Sequence, residues 1–414
     1  MHRADRKRTS NGVCAGTEQA NRDADGRGCW IVAAQHGLEA HSHGNVPIQT
    51  RSERPRSTSV SDFPELSNRQ EIWRYVPLDK LRGLDEEVMG ELTESEVTAE
   101  LASGTSMRWV DSTDPLVGSA GLPEERVSAT AWTNASKTLV IEVEAESETT
   151  DASFLKIAPN TAEAKALHVV VSVGNHAKAT IALDHLGQGV LGENVEIVLG
   201  DGAQLNFVTL QEWESGSTHV STQFSKLGRD SSLKHVVVTM GGDLVRVVPA
   251  VSLSSAGAEV NMYGVYLAGS GNYFEHRPYV DHIAENCVSN VAYKGALQGA
   301  GAHTVWVGDV LIRESAVGTS TYELNRNLLL TDGARADSVP NLEIETGKIE
   351  GAGHASASGR FDDEQLFYLM SRGIEEDQAK KLVVRGFLSE VIQKIGIESI
   401  EQRLISAIEA ELER

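Results

Sequence analysis

Cysteine is scarce in this chain, with three in 414 residues. Cys14, Cys29 and Cys287 are too few and too scattered for a disulfide framework or a paired-cysteine metal knuckle. A reducing compartment follows, and the chain alone cannot ligate a four-thiolate cluster. Positive charge is also short, since 37 Lys and Arg against 59 Asp and Glu leave a net charge of −22. That balance repels phosphate backbones and argues against nucleic-acid binding. No apolar run approaches the roughly 18 residues a membrane span needs, so no membrane contact is expected. The phosphate-binding GxxxxGK[ST], the GxSxG elbow, HExxH, CxxC and GxGxxG are all missing, and GSGN at 269–272 reads as a loop.

What is present falls into four segments. Residues 1–60 read as a disordered tail or an extension of the reading frame, rich in Arg, Asn, Asp, Gly and Ser without a sustained period. Their apolar island, Cys29 to Ala34, is shorter than a signal-peptide core of about 7–15 residues. The His36, His41 and His43 cluster there reads as solvated. Residues 61–135 read as a small helical and loop domain: Trp73, Tyr75, Leu78, Leu81 and Leu84 supply apolar groups, Pro77 interrupts them, and 99–127 is loop-rich. From 136 to 355 the period is 2, as in LVIEVEAES at 139–147, and no helix pattern intervenes. Residues 356–414 are helical, with Gly373 and Gly396 as stops.

Self-similarity decides the architecture of the middle segment. Six blocks of a turn followed by an alternating strand align on Ala177, Ala203, Ser231, Ala258, Ala302 and Ala334, at spacings of 26, 28, 27, 44 and 32 residues. A repeat of that length without helices means stacked coils, because one coil cannot bury its own inward face and neighbours bury it together. The long gaps imply extra turns or outward loops, the longest around Tyr263 to Lys294. An antiparallel sandwich would need denser hairpin signals than Asp201-Gly202 and Asp332-Gly333. The expected fold is therefore mainly β, a parallel solenoid with small helical N-terminal and C-terminal domains.

Chemistry must come from histidines brought together by stacking: His168, His176, His185, His219, His235, His276, His282, His303 and His354. His276 and His282, with Glu275, Asp281 and Glu285, form the densest titratable cluster along the chain. His354 stands among Gly, Ala and Ser too small to shield it, which suits a ligand or an interface contact. Cys287, alone in a strand region, reads as inert core. The apolar surface of the C-terminal helices either folds back on the solenoid or offers a groove to a partner.

One ordered series of residues resembles a known family. Asn327-Leu328-Leu329-Leu330, Asp332-Gly333-Ala334, Asp337-Ser338, Pro340-Asn341-Leu342-Glu343-Ile344, the His354 turn, Leu366-Phe367-Tyr368-Leu369 and Ser371-Arg372-Gly373-Ile374 are similar to the SufB/SufD family of the SUF iron–sulfur cluster assembly system. Glu71-Ile72-Trp73-Arg74-Tyr75 resembles the entry segment of its SufD branch. The resemblance implies a right-handed parallel β-helix core and a cytoplasmic, non-catalytic scaffold. It implies pairing with a SufB paralogue through the β-helix and docking of the SufC ABC-type ATPase through the C-terminal helices, with Phe367, Tyr368 and Arg372 as docking residues. The family's functional histidine falls on His354, a candidate metal ligand shared with the partner. No cofactor is then held by the chain alone, and iron or an iron–sulfur cluster is held transiently at the interface. Ala352 stands where some members carry cysteine, and Gly353 and Ala355 stand where SufB-type proteins carry glutamates, which favours the SufD branch. The alternative is a carbohydrate-active β-helix lyase or hydrolase, which would need a signal peptide and paired carboxylates on one solenoid face.

Overall fold

A computed structural model describes residues 51, 54–360 and 363–412. The expected N-terminal tail, with Cys14, Cys29, His36, His41 and His43, lies almost wholly outside the described residues. From Lys137 the chain alternates between two sheets. One carries the strands Glu148–Ile157, Lys178–Gly187, Gln204–Trp213, Ser232–Thr239, Glu259–Ala268, Val288–Leu297, Ser320–Leu329 and Gly351–Arg360. The other carries Lys137–Val143, Ala164–Val173, Val190–Leu199, Thr218–Leu227, Leu244–Leu253, the interrupted pair Tyr273–His276 and Tyr279–His282, His303–Ile312 and Arg335–Ile344. Every pairing between these strands is parallel, so the chain winds as a β-helix of about eight coils.

Alternation along each strand sends one side chain in and the next out. Leu183, Phe207, Val237 and Met262 from one sheet meet Val171, Ile197 and Val247 from the other, all buried in the lumen. The corner residues stack too. Ser147, Ala177, Ala203, Ser231, Ala258, Cys287 and Thr319 form one column, each accepting from the backbone N–H that opens the strand one coil on. Ala302 and Ala334 belong to the other sheet's column, above Asn272. The 44-residue gap in the repeat is thus a change of face. Of the extra turns or outward loops expected around Tyr263 to Lys294, the extra turn is what forms, because those residues are strands of regular coils. Cys287 is a buried member of the corner column, its thiol pushed up by burial and directed at the Ser255 carbonyl.

Coil spacing leaves little room for bulk, and one pair of coils solves this by crossing. Gly264 pairs with Tyr293 and Tyr266 pairs with Gly295, so each ring lies over the other strand's glycine. A Cβ on Gly295 would stand 1.7 Å from the Tyr266 ring, and one on Gly264 2.0 Å from that of Tyr293.

The N-terminal segment is less helical than its apolar pattern suggests. It holds short 3₁₀ turns, the helix α1 (Arg126–Asn134) and strands that cap the solenoid. Val97–Glu100 and Thr105–Asp111, within the stretch expected as loop, pair antiparallel with Glu148–Ile157 and Lys137–Val143 and close that end of both sheets. Only Met107 and Trp109 of the second strand pack on the core, which is why its polar sequence reads as loop. Glu125 caps α1 by accepting from Val127 N and Ser128 N, both at 2.8 Å. Trp73 is buried beneath the Arg246 guanidinium, 4.3 Å from its ring centroid, and Arg246 and Arg277 both donate to Glu275. The Glu71–Tyr75 segment is thereby pinned to the solenoid wall, since Arg277 also reaches Glu71 at 3.0 Å.

At the other end the chain forms α2 (Asp363–Ser371), α3 (Glu376–Ile392) and α4 (Glu398–Glu411). Val384, Leu388, Val391, Ile392, Ile400, Leu404 and Ile408 lie on the outer face of the first sheet, against Val208, Val236 and Val265. Lys294 to Glu390 at 2.6 Å and Arg403 to Asp184 at 2.9 Å tie the helices down at the margins.

Gly295→Ala is expected to destabilise the fold by roughly 2–3 kcal/mol through overpacking against Tyr266. Gly359→Ala, whose added methyl meets nothing within 4 Å, should leave the urea midpoint almost unchanged. Equal midpoints for the two variants would contradict the crossed packing.

Candidate functional site

The two ends of the solenoid differ. The edge strands at the N-terminal end are the antiparallel Val97–Glu100 and Thr105–Asp111, whereas those at the C-terminal end are the parallel Arg335–Ile344 and Gly351–Arg360, each paired on its inner side alone. Their outer edges leave backbone N–H and C=O groups without strand partners, a template for another strand. His354 lies on Gly351–Arg360 and is exposed. Its Cα partner one coil below is Glu323, so the two share the lumen-facing side, roughly 4.8 Å apart in backbone.

Glu323 is the residue that sequence reasoning missed. It is 1% exposed, and neither carboxylate oxygen has a hydrogen-bond partner. Burial, with the Asp309 carboxylate adding to it, pushes its acid up to about 8. A neutral carboxyl is the cheaper occupant of such a place. Gly308 makes the room: a Cβ there would stand 2.3 Å from the Trp306 ring and 2.7 Å from Glu323 Oε1. The only sequence signal was a glutamate at an inward position of an alternating strand, legible once the register is known.

Beside Glu323 the mouth is lined with amides and hydroxyls. Tyr266 donates to Asn327 Oδ1 at 2.5 Å, Asn325 donates to Tyr266 Oη at 2.9 Å, and Ser338 donates to Asn325 Oδ1 at 2.5 Å. Asn327 reaches Ser358 at 3.2 Å on the last strand. The terminal coils therefore exchange an apolar filling for a polar one.

The other histidines scatter by strand parity. His276 and His282 face the lumen, whereas Glu275 and Asp281 face outward and pair with Arg246 and Arg313, so the cluster dense in sequence is divided by the sheet. His168 faces outward beneath Trp132, 3.0 Å from Glu196. His303, also outward, pairs with Asp337 at 2.7 Å. His176 sits in a turn with φ +56°.

Of the two expectations for the C-terminal helices, folding back on the solenoid is what α3 and α4 show. α3 and α4 fold back on the sheet, while α2 leaves Phe367 73% and Tyr368 57% exposed. Arg372 lies 5.1 Å from the Tyr368 ring centroid, and Met370 and Leu382 are exposed as well. Among the described residues no helix is long and apolar enough to cross a membrane.

The fold is thus a parallel β-helix whose C-terminal coils have a polar mouth and strands paired on one side only. Comparison with known proteins says of what kind. The family model for the SUF system FeS cluster assembly, SufBD core domain, matches residues 156–387. An iron-sulfur cluster assembly SufBD family protein of Mycobacterium tuberculosis is 44% identical over 390 residues, covering 92% of this chain and 96% of that protein. One of Mycobacterium leprae is 44% identical over 363 residues, covering 86% and 93%. The iron-sulfur cluster assembly protein SufD of Bacillus subtilis is 27% identical over 258 residues, covering 58% and 56%. The chain belongs to the SufBD family of iron–sulfur cluster assembly proteins. This membership sets the carbohydrate-enzyme alternative aside.

Glu323 generates a pH signature. Its folded-state pKa of about 8 lies above the ordinary value near 4.3, so the folded state binds more protons between the two. Stability contributed by the protonated form is complete below the ordinary value and is lost as pH rises through about 8. Glu323→Gln should melt with wild type at pH 4 and at least about 3 °C above it at pH 9. A difference in melting temperature that does not change with pH would contradict the buried neutral carboxyl.

Proposed function

We propose that this chain is a non-catalytic scaffold subunit of an iron–sulfur cluster assembly complex, pairing through the open end of its β-helix with a SufB-type paralogue. The observation that carries the reading is the C-terminal end of the solenoid, where two parallel strands pair on one side only and one of them bears His354. A second β-helix meeting that edge gains main-chain hydrogen bonds and covers the polar mouth in one step. His354 is then a metal ligand that the partner's side chains complete. Glu323, one coil below on the same face, adds a carboxylate that ionises when a cation approaches. The iron or the nascent cluster is cargo, held transiently between subunits.

The second contact in this reading is an ABC-type ATPase of the SufC kind, received by the C-terminal helices. Phe367 and Tyr368 offer an apolar pair, with the Arg372 guanidinium 5.1 Å from the Tyr368 ring centroid. This is the composition of an interface anchor, aromatic and Arg together. ATP hydrolysis belongs to that partner.

Co-expression with a SufB-type paralogue and a SufC-type ATPase should yield a stable complex by pull-down and gel filtration. A chain that stays alone at micromolar concentration in the presence of both would overturn the reading. Within the complex, His354→Ala should leave the melting temperature within about 1 °C, because its neighbours are small and it is exposed, yet lower cluster yield at least about tenfold. Phe367→Ala should weaken ATPase capture by about 2 kcal/mol or more while leaving pairing with the paralogue intact.

A further inference from the structure

Deeper in the lumen, away from the open mouth, three side chains converge from three strands. His185 comes from Lys178–Gly187, Glu193 from Val190–Leu199 and His219 from Thr218–Leu227, and all are at most 1% exposed. His185 Nε2 stands 2.9 Å from Glu193 Oε1, and His219 Nε2 3.4 Å from Glu193 Oε2. One ligand atom from each lies within 4.8 Å of the others.

The opposite ring nitrogens fix the tautomers. His185 Nδ1 lies 3.0 Å from the Leu210 carbonyl, which can only accept, so Nδ1 carries the hydrogen. His219 Nδ1 lies 2.6 Å from Gln211 Oε1, too close for two acceptors, so it donates as well. The amide of Gln211 is oriented by Trp213, whose indole N–H donates to the same oxygen at 3.0 Å, and by its own donation to Thr209 at 2.9 Å. Both imidazoles therefore aim their Nε2 lone pairs at the Glu193 carboxylate.

That arrangement is incomplete without a positive charge between the groups. A proton on His185 Nε2 satisfies the 2.9 Å contact but not the other, and His219 Nε2 remains a buried acceptor with no hydrogen-bond partner. A dication answers all three groups at once. A tetrahedral ion with bonds of about 2.1 Å spaces its ligand atoms roughly 3.4 Å apart, close to the separations found. Carbonyl acceptors behind each imidazole and Ser221 donating to Glu193 Oε2 at 2.7 Å form the outer hydrogen bonds that orient metal ligands.

We propose that His185, Glu193 and His219 bind one divalent first-row transition metal of borderline softness, with the two Nε2 atoms and a Glu193 oxygen as protein ligands and a water as the fourth. The donor set suits Zn²⁺ or Fe²⁺ rather than Mg²⁺ or Ca²⁺. The site is resident and structural, joining one strand of the first sheet to two neighbouring strands of the second, and is separate from the cargo position at His354. Since no ligand atom is exposed, the metal enters during folding and is retained.

The test uses the full chain, untagged and produced in metal-replete cells, with metal content read by mass spectrometry. About one equivalent of Zn²⁺ or Fe²⁺ per chain is expected, the element distinguishing the two. Refolding with Co²⁺ should give the visible bands of a tetrahedral site. Glu193→Gln and His219→Gln, if folded by circular dichroism, should lose the metal at least about tenfold, whereas His354→Ala should retain it. Metal-free wild type with no Co²⁺ bands would overturn the proposal and leave the group a protonated His–Glu pair. Undiminished metal in both lumen variants, or its loss in His354→Ala alone, would overturn it too. Should the lumen variants not fold, X-ray absorption of the loaded wild type decides: a first shell with two imidazoles supports the site, and one containing sulfur, or fewer than two imidazoles, refutes it.

Discussion

In-register parallel pairing between successive coils is the constraint on which this structure depends. It places each interior side chain directly over the residue one coil back, so packing is decided in columns rather than pairs. Small residues and one thiol fill the corner column from Ser147 to Thr319 because the turn allows nothing larger. Where a large ring enters, the coil above or below must yield, as the crossed Gly264–Tyr293 and Tyr266–Gly295 pairs do. Polar groups obey the same rule. A hydroxyl or imidazole in the lumen can be answered only from its own or a neighbouring coil, as Ser289 is by His282 and Thr321, at 2.8 and 2.7 Å.

The same constraint separates the duties of inside and outside. Outward charges buried under the N-terminal segment each have a charged or hydrogen-bonding partner: Arg246 with Glu275, Arg277 with Glu275 and Glu71, Glu196 with the N–H groups of Gly118 and Ala120. An unpaired charge there would be costly, and pairing fixes how the segment seats. Inside, polar groups persist without full satisfaction at Glu323 and His219. Native folds rarely leave buried polar atoms unanswered, and at these two positions the proposed cations are what would answer them.

Much of this was legible in the sequence, and the misses share a cause. Period-2 alternation, the small-residue blocks and the helical tail gave the solenoid and its C-terminal helices. Yet aligned blocks do not say which sheet a block belongs to, so Ala302 and Ala334 were stacked on Ala258 although they belong to the other face. Adjacency misled in the same way at Glu275 and His276, neighbours in sequence on opposite sides of the wall. Glu323 beneath His354, and Glu193 between His185 and His219, are neighbours only once the coils are wound and stacked, which single-sequence reading does not resolve. The antiparallel cap at Thr105–Asp111 was missed because only one side of an edge strand needs apolar residues.

Gly351–Arg360 carries His354 and is held by a single ladder, to Ser320–Leu329, so it has half the main-chain bonding of an interior strand. Only two residues separate it from α2, whose Phe367 and Tyr368 project into solvent, while α3 and α4 are fastened to the sheet wall by a continuous apolar face. Force applied to α2 by a docked ATPase therefore meets a firm anchor on one side and a weakly held strand on the other. The weakly held side yields first, and it is the side that bears His354. If an ATPase docks on α2 as proposed, the last coil is the part of the solenoid least restrained by main-chain bonds.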